Sequence, residues 1–415
     1  MTEEMTMMEA KQTTLPLGFL WGAVRGGIKA SGNLDVALAL APKGANAAAM
    51  YTKNTVVAAP VMVGRRHLLA TGGKVSAVLV NAGNANCATG EAGERGCIET
   101  CRAAGEMFGC IFDEVFPSST GIIGVPFPVE KVLAAVSALP AALGDSPAHA
   151  EMFATAIMTT DTRIKVARAV VNVEGTEVRI FGVAKGAGMI HPQLGAPVGP
   201  PHATMLVYLF TDLSANAAAL RRLLAPAVER SFNSISIDGD TSTNDTVLLL
   251  ASGASGVKLE DHVAEAFGSA LQLVCGSLAH QIVDDGEGVG HVVTLQINGA
   301  TTEADAKTVA KAIAHSPLNK TAWSSADPNW GRLLAATGYS GVPFNVARLR
   351  ISIGSQVVFE NGIRSATFSV AAAHAAMMQR EYTITLDLGE GVAACTFLTC
   401  DLTEEYVRIN ADYPT

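Results

Sequence analysis

The chain of 415 residues (42.9 kDa) is 49% hydrophobic and 16% charged, enough apolar material for a full core and a composition that excludes a disordered chain. Its 38 acids against 29 bases give a formal charge of −9, which argues against nucleic acid or an anionic membrane as the main partner, because both reward clustered Lys and Arg. Unbroken apolar stretches fall short of the ~18–20 residues of a membrane span, the N-terminus shows no secretory pattern, and seven scattered cysteines point to free thiols and a cytoplasmic setting.

The length predicts two domains, or one large domain with a smaller one. Residues 1–15 read as a flexible lead, and mixed α/β structure follows throughout. The run Val75-Ser-Ala-Val-Leu-Val-Asn81 is a buried-strand pattern. It enters a small-residue loop (82–90) and then a helix carrying Cys97 and Cys101, a pair read as structural because no His or Cys stands nearby at ligand spacing. A second helix is expected over 129–143. Segments 166–173 and 176–183 flank Glu174-Gly175, a hairpin signature, since glycine supplies the positive φ of a tight turn. A loop rich in Gly and Pro covers 185–202, and 204–211 reads as a buried strand. Ser214 is the expected N-cap of a helix ending near Ser231. Then come a long helix (259–283) with Glu260 and Asp261 in its first turn, a strand (291–297) and a helix (303–314). Strands follow at 346–353, 356–360, 381–388 and 392–400, and the tail from Tyr406 reads as an amphipathic strand.

Four segments carry chemistry-bearing residues. In Lys185-Gly-Ala-Gly-Met-Ile-His-Pro192, glycines let a backbone approach a ligand and the lysine suits a carboxylate or phosphate. The lysine precedes the glycines, so the nucleotide phosphate-loop pattern is not met; the alternative is a plain surface loop. Asp238, Asp240 and Asp245 crowd one stretch, but the twelfth position of a calcium loop would be Leu249, and local Asx turns explain the composition equally well, so no metal is expected. In Pro117-Ser-Ser-Thr-Gly-Ile-Ile-Gly124, a hydroxyl beside a glycine N–H suits an oxyanion hole or, more plainly, a strand-bounding turn. Asp327-Pro-Asn-Trp-Gly-Arg332 fits a binding edge or a buried Trp with a satisfied Arg. Spacing assembles no Ser-His-Asp triad, and His191 and His202 alone flank a candidate loop.

Taken in order, Gly27-Ile-Lys-Ala-Ser-Gly32, Asn81-Ala-Gly-Asn-Ala-Asn86, Ser119-Thr-Gly-Ile-Ile-Gly124, Met158-Thr-Thr-Asp-Thr162, Lys185-Gly-Ala-Gly-Met-Ile190, Ala203-Thr-Met-Leu206, Asp238-Gly-Asp-Thr-Ser-Thr-Asn-Asp245, Asp327-Pro-Asn-Trp-Gly-Arg332 and Ile409-Asn-Ala-Asp412 resemble the ornithine acetyltransferase (glutamate N-acetyltransferase) family of arginine biosynthesis. The resemblance runs from about Leu17 to Thr415. It implies an αββα-type sandwich holding the site, with a smaller α/β portion towards the C-terminus. It also implies self-cleavage between Ala203 and Thr204, giving an α chain (16–203 after the lead) and a β chain (204–415). The freed α-amine of Thr204 would serve as base for its own hydroxyl.

Mature Thr204 would take the acetyl group from N-acetylornithine and pass it to glutamate by a ping-pong route. Thr120 and Gly121 match the family's oxyanion-hole pair. Thr162, Lys185, Thr204, Glu287, Asn410 and Thr415 match its substrate contacts. No cofactor is implied, and acetyl-CoA is left open as a second donor. The family also suggests paired α and β chains assembling as α₂β₂ or larger. One departure is an insertion at 193–202 before the cleavage bond, with His202 where Met is usual. A paralogue acting on another acceptor, and an N-terminal-nucleophile aminopeptidase using water as acceptor, are the alternatives.

Overall fold

The computed structural model describes residues 14–53, 55–195 and 205–412. Residues 1–13 of the expected lead (1–15) lie outside the described residues, as do His202 of the insertion and the matched residues Ala203, Thr204 and Thr415. The first part of the chain forms β1 (Leu20–Val24), β2 (Val36–Thr52), α1 (Ala59–Ala70), β3 (Lys74–Asn84), α2 (Gly90–Phe108), β4 (Val115–Ile122), α3 (Val129–Ala138) and α4 (Pro147–Ala156). The β5 (Lys165–Val173) and β6 (Thr176–Lys185) hairpin and short β7 (Leu194–Gly195) follow. Beyond residue 204 come β8 (Leu206–Thr211), α5 (Ala217–Glu229), β9 (Thr246–Ala251) and α6 (Asp261–Asp284). Their strands join one sheet in the order β4-β3-β2-β9-β8-β6-β5, with β1 and β7 also on β2.

β2 turns this sheet into a sandwich. Its first half (36–40) pairs with β1 and β3, and its second half (46–51) with β9. A register shift between Leu40 and Ala45 marks the irregularity between the two halves, the kind of break that bends a strand. The alanines of β2 leave room for aromatic side chains across the shared core. Trp21 of β1 packs edge-on against Phe181 of β6 (5.9 Å) and Phe210 of β8 (5.6 Å), beside Ala37, Ala39 and Tyr208. Outside, α2 and α3 cover one half through Cys97, Cys101, Val132 and Val136. α5 and α6 cover the other through Leu220, Leu224, Phe267 and Leu271. The layers are therefore α-β-β-α, as the resemblance implied. α6 is long and apolar enough to cross a membrane by length and composition, but its apolar face lies in the core against β5 and β6.

A second sheet holds β10 (Val292–Ala300), β11 (Arg350–Ile353), β12 (Gln356–Glu360), β13 (Ile363–Arg364), β14 (Glu381–Asp387) and β15 (Ala393–Cys400). It runs in the order β13-β12-β11-β14-β10-β15, with α7 (Glu303–Ala314), α8 (Pro317–Ser324), α9 (Trp330–Tyr339) and α10 (Val370–Met377) alongside. This part buries its own core, including Leu295, Val309, Trp323 and Ile384. α11 (Glu404–Asp412) ends the described chain.

Local signals held where the chemistry was local. Glu174 and Gly175 take φ of 50° and 83° in the β5–β6 turn, and all seven cysteines are free thiols. Four expectations need correction. The tail is a helix, because Tyr406 and Ile409, three apart, face inward while Thr403 accepts the Tyr406 N–H (3.3 Å). The cap of α5 is Asn216, whose Oδ1 accepts from Ala219 N (2.9 Å), whereas Ser214 bridges to Lys258. Residues 346–349 stay outside β11, and the helix expected over 129–143 ends at Ala138, followed by a 3₁₀ turn (Leu139–Ala142) with Pro140 at its start.

Candidate active site

The ends of β4 and β6 meet across the sandwich, and a cavity of ≈ 210 Å³ opens there. Gly121, Ile122 and Ile123 line one wall, Thr159, Thr160 and Lys185 another, and Gly188, Met189, Glu287, Ile409 and Asn410 the rest. Thr120, the last buried residue of β4, turns its hydroxyl towards Lys185. Gly121 follows with φ 131°, and a Cβ there would lie 2.3 Å from the Gly83 carbonyl carbon, so only glycine fits beside β3.

Lys185 links the two halves of the sandwich. Its Nζ donates to Thr120 Oγ1 (3.1 Å) and Thr159 Oγ1 (2.8 Å) and lies 3.9 Å from Asp161 Oδ2. Burial lowers the Lys185 ammonium below its ordinary range, and the Asp161 carboxylate works against that. Asp161 also accepts from Lys165 Nζ (2.6 Å), Gly186 N (2.6 Å) and Thr159 N (3.0 Å). Burial alone would raise its carboxyl; Lys185, Lys165 and the Gly186 N–H together bring it down to about 2. Lys165 is shared with Asp285 (2.5 Å), which takes both the N–H (3.0 Å) and the hydroxyl of Thr162. Thr162 is thus bound into this charge network, and its neighbours Thr159 and Thr160, rather than Thr162 itself, line the cavity.

On the opposite side, Glu287 presents its carboxylate over Gly188, where a Cβ would stand 2.5 Å from it. Its Oε2 accepts from Asn410 Nδ2 (2.9 Å), which brings α11 to the cavity. Glu287 has no ion-pair partner within 4 Å among the described residues. Asp238 clamps the glycine loop by accepting from Met189 N (2.6 Å) and Ile190 N (2.9 Å), and Tyr406 of α11 donates to the same carboxylate (3.4 Å). The aspartate-rich segment therefore serves as a clamp, and the described residues hold no cluster suited to a metal.

Met205 is fixed at this edge: its N–H donates to Asp245 and its carbonyl accepts from Thr246 N (3.0 Å), while Leu206 pairs with Lys185. Thr204 is the residue bonded to Met205 in the chain.

The structure thus brings together Thr120, Gly121, Lys185, Glu287 and Asn410, with Thr162 one contact behind. It places His191 elsewhere, buried edge-on against His315 (4.4 Å) near Phe397. Asp161, Lys165, Asp285 and Thr159 escaped the sequence reading of the site, although Asp161 and Thr159 lie inside a motif already singled out. Lys29 is another. Its Nζ donates to the Leu34 (2.7 Å) and Ala156 (2.9 Å) carbonyls, and burial, with Lys185 adding to it, lowers its ammonium to about 8. Trp330 of the Asp327–Arg332 segment packs on Phe359 (5.5 Å), and Arg332 donates to the Leu318 carbonyl (2.7 Å), a packing role.

The family model described as the ArgJ family matches residues 20–415. This chain belongs to the ArgJ family. Relatives include the arginine biosynthesis bifunctional protein ArgJ of Ruegeria pomeroyi, 41% identical over 96% of each chain. The protein of the same name from Thermus thermophilus is 44% identical over 97% of this chain and 99% of its own. Among solved structures, the arginine biosynthesis bifunctional protein of Bacillus halodurans is 38% identical, covering 50% of this chain and 98% of its own, with a TM-score of 0.48. The ornithine acetyltransferase of Mycobacterium tuberculosis complexed with ornithine is 35% identical, covering 46% and 100%, with a TM-score of 0.42.

Proposed function

We propose that this ArgJ-family chain is an arginine-biosynthetic acetyltransferase that moves the acetyl group of N-acetylornithine to glutamate through an ester on Thr204. The observation that carries the reading is the Lys185–Thr120 hydrogen bond beside Gly121, facing Glu287 across one cavity. Lys185 donates to Thr120 Oγ1, so the Thr120 hydroxyl keeps its own hydrogen to give. That O–H and the Gly121 N–H are the donors a developing oxyanion needs, and the buried ammonium behind them adds positive charge.

The chemistry runs in two balanced halves. The Thr204 Oγ attacks the acetyl carbonyl while the Thr204 α-amine, with an ordinary pKa of ~7.7–8.0, takes the hydroxyl proton. Collapse of the tetrahedral adduct breaks the amide bond, and the proton passes to the leaving amine of ornithine. Glutamate's amine then attacks the ester and loses a proton to the α-amine; the C–O bond to Thr204 Oγ breaks, that proton returns to the Oγ, and N-acetylglutamate leaves. Glu287 is the partner for a substrate ammonium. With its bonds to Thr120 and Thr159, Lys185 supports the oxyanion more directly than it binds a substrate carboxylate. Acetyl-CoA as a second donor fits the word bifunctional in the relatives' names.

The α-amine must be freed by cleavage between Ala203 and Thr204. The two products would stay interleaved, because β6 pairs with β8 and β2 with β9 across the cut. Association into α₂β₂ would build on that unit. A denaturing mass spectrum tests the reading: wild type is expected as two masses that break before Thr204, and Thr204→Ala as one mass with no acetyl transfer. Two fragments or wild-type turnover in Thr204→Ala would exclude Thr204 as nucleophile.

A further inference from the structure

A second cavity, of ≈ 240 Å³, lies between α1 and the first turn of α5, over the second half of β2. Its walls are apolar or cationic: Leu68 and Leu69, Ala217 and Ala218, Arg65 and Arg221, above Tyr51. Among the described residues no acidic side chain lines it, in a chain with nine more acids than bases.

Three features give the cavity a preference. Tyr51 is 3% exposed, and its buried hydroxyl has no hydrogen-bond partner among the described residues. Burial raises that phenol well above its ordinary range while Arg65 and Arg221 both act to lower it, so both cations are within electrostatic reach of the hydroxyl. Arg65 also sits 5.8 Å from the ring centroid. Next, α5 is a 13-residue helix with no acid in its first turn, and Asn216 caps only Ala219 N, so the positive helix end is uncompensated where Ala217 and Ala218 line the cavity. Finally, the opposing end of α1 offers little competing negative charge. The Leu68, Leu69 and His67 carbonyls accept from Gly73 N (2.8 Å), Gly72 N (3.3 Å) and Thr71 N (3.0 Å).

We propose that this cavity is a second binding site, for a small carboxylate with an apolar body and no ammonium group. Arg65, Arg221 and the Tyr51 hydroxyl supply donors for the carboxylate, and the leucines and alanines take the alkyl part. A substrate ammonium would find two guanidinium groups and, among the described residues, no acid. That is the reverse of the first cavity, where Glu287 waits for a cation. Tyr51 pairs with Thr246 on β9 and Gly195 on β7, so the new site touches strands that run to the first one.

Calorimetric titration of the full chain with butyrate, 2-aminobutyrate and inorganic phosphate tests the assignment. Butyrate is expected to bind saturably, with 2-aminobutyrate and phosphate at least tenfold weaker. Arg221→Ala, a change at an exposed side chain, should weaken butyrate at least tenfold with an unchanged melting temperature. Tyr51→Phe should weaken it severalfold, whereas Lys185→Ala, in the other cavity, should leave it unchanged. Absence of saturable butyrate binding at tens of millimolar, equal binding of 2-aminobutyrate, tighter binding of phosphate, or an unaffected Arg221→Ala would each overturn the proposal.

Discussion

Replacing Asp161 with Asn probes the charge network behind the oxyanion donors. The substitution keeps the size, but its single amide oxygen can accept from only one of Gly186 N and Thr159 N, which bond to different carboxylate oxygens of Asp161, and it removes the negative charge beside Lys165 (2.6 Å) and Lys185 (3.9 Å). Depression of the carboxyl from 3.8 to about 2 corresponds to about 2–2.5 kcal/mol. That contribution is complete above about pH 4 and is lost as pH falls towards 2. Removing one partner of a buried pair also strands the other charges, which raises the expected loss to about 3–5 kcal/mol at pH 7. Lys185 decides the pH dependence. Burial already lowers its ammonium, and without Asp161 nothing as close opposes that. The folded variant would therefore release the proton at a pH where the unfolded chain still holds it, and the variant regains stability as pH rises. Urea unfolding of both proteins at pH 7 and pH 10 reads this directly. The gap should be about 3–5 kcal/mol at pH 7 and clearly smaller at pH 10. A gap below about 1 kcal/mol, or one equal at both pH values, would refute the electrostatic account.

Thr120→Ala should lower kcat about 10²–10³-fold with a much smaller change in KM, because the lost donor acts on the transition state; steady-state kinetics would show it, and an unchanged kcat would remove Thr120 from the oxyanion hole. Gly121→Ala should fail to accumulate as folded protein, given φ 131° and the 2.3 Å approach to Gly83, and a soluble variant with the wild-type melting temperature would contradict that. At His191, burial first, then His315 and the Lys311 and Lys307 ammonium groups, lower the imidazole to about 3. The unfolded chain takes that proton near pH 6.5 while the fold refuses it, so stability falls as pH drops from 6.5 towards 3. His191→Phe should therefore lose about 2 kcal/mol less than wild type between pH 7 and pH 5 in urea unfolding, and parallel losses would show that His191 does not drive the acid sensitivity.

Sequence by itself determined what depends on near neighbours. Glu174-Gly175 announces the β5–β6 hairpin because a tight turn needs positive φ at that spot. The helix over 303–314 is readable from its apolar spacing, and Thr302 caps it as expected chemistry would (3.1 Å to Asp305 N). The ordered set of glycine, threonine and asparagine motifs was enough to identify the family, and the resemblance singled out Thr120, Gly121, Lys185, Glu287 and Asn410, which the fold gathers at one cavity. The tail misled because Tyr406, Val407 and Ile409 satisfy a period of two about as well as one of three; the bonds of Tyr406 to Asp238 and of Asn410 to Glu287 favour the helix. β2 drew no attention because a strand rich in alanine carries little β-propensity of its own. Its importance lies in pairing with β1 and β3 at one end and β9 at the other, which only the folded chain brings about. The same holds for the Asp161–Lys165–Asp285 network, whose members stand up to 124 residues apart and meet because β5 packs on α6. Side-chain charges choose partners through space over a few ångströms, and sequence spacing carries that information only when both partners share one element.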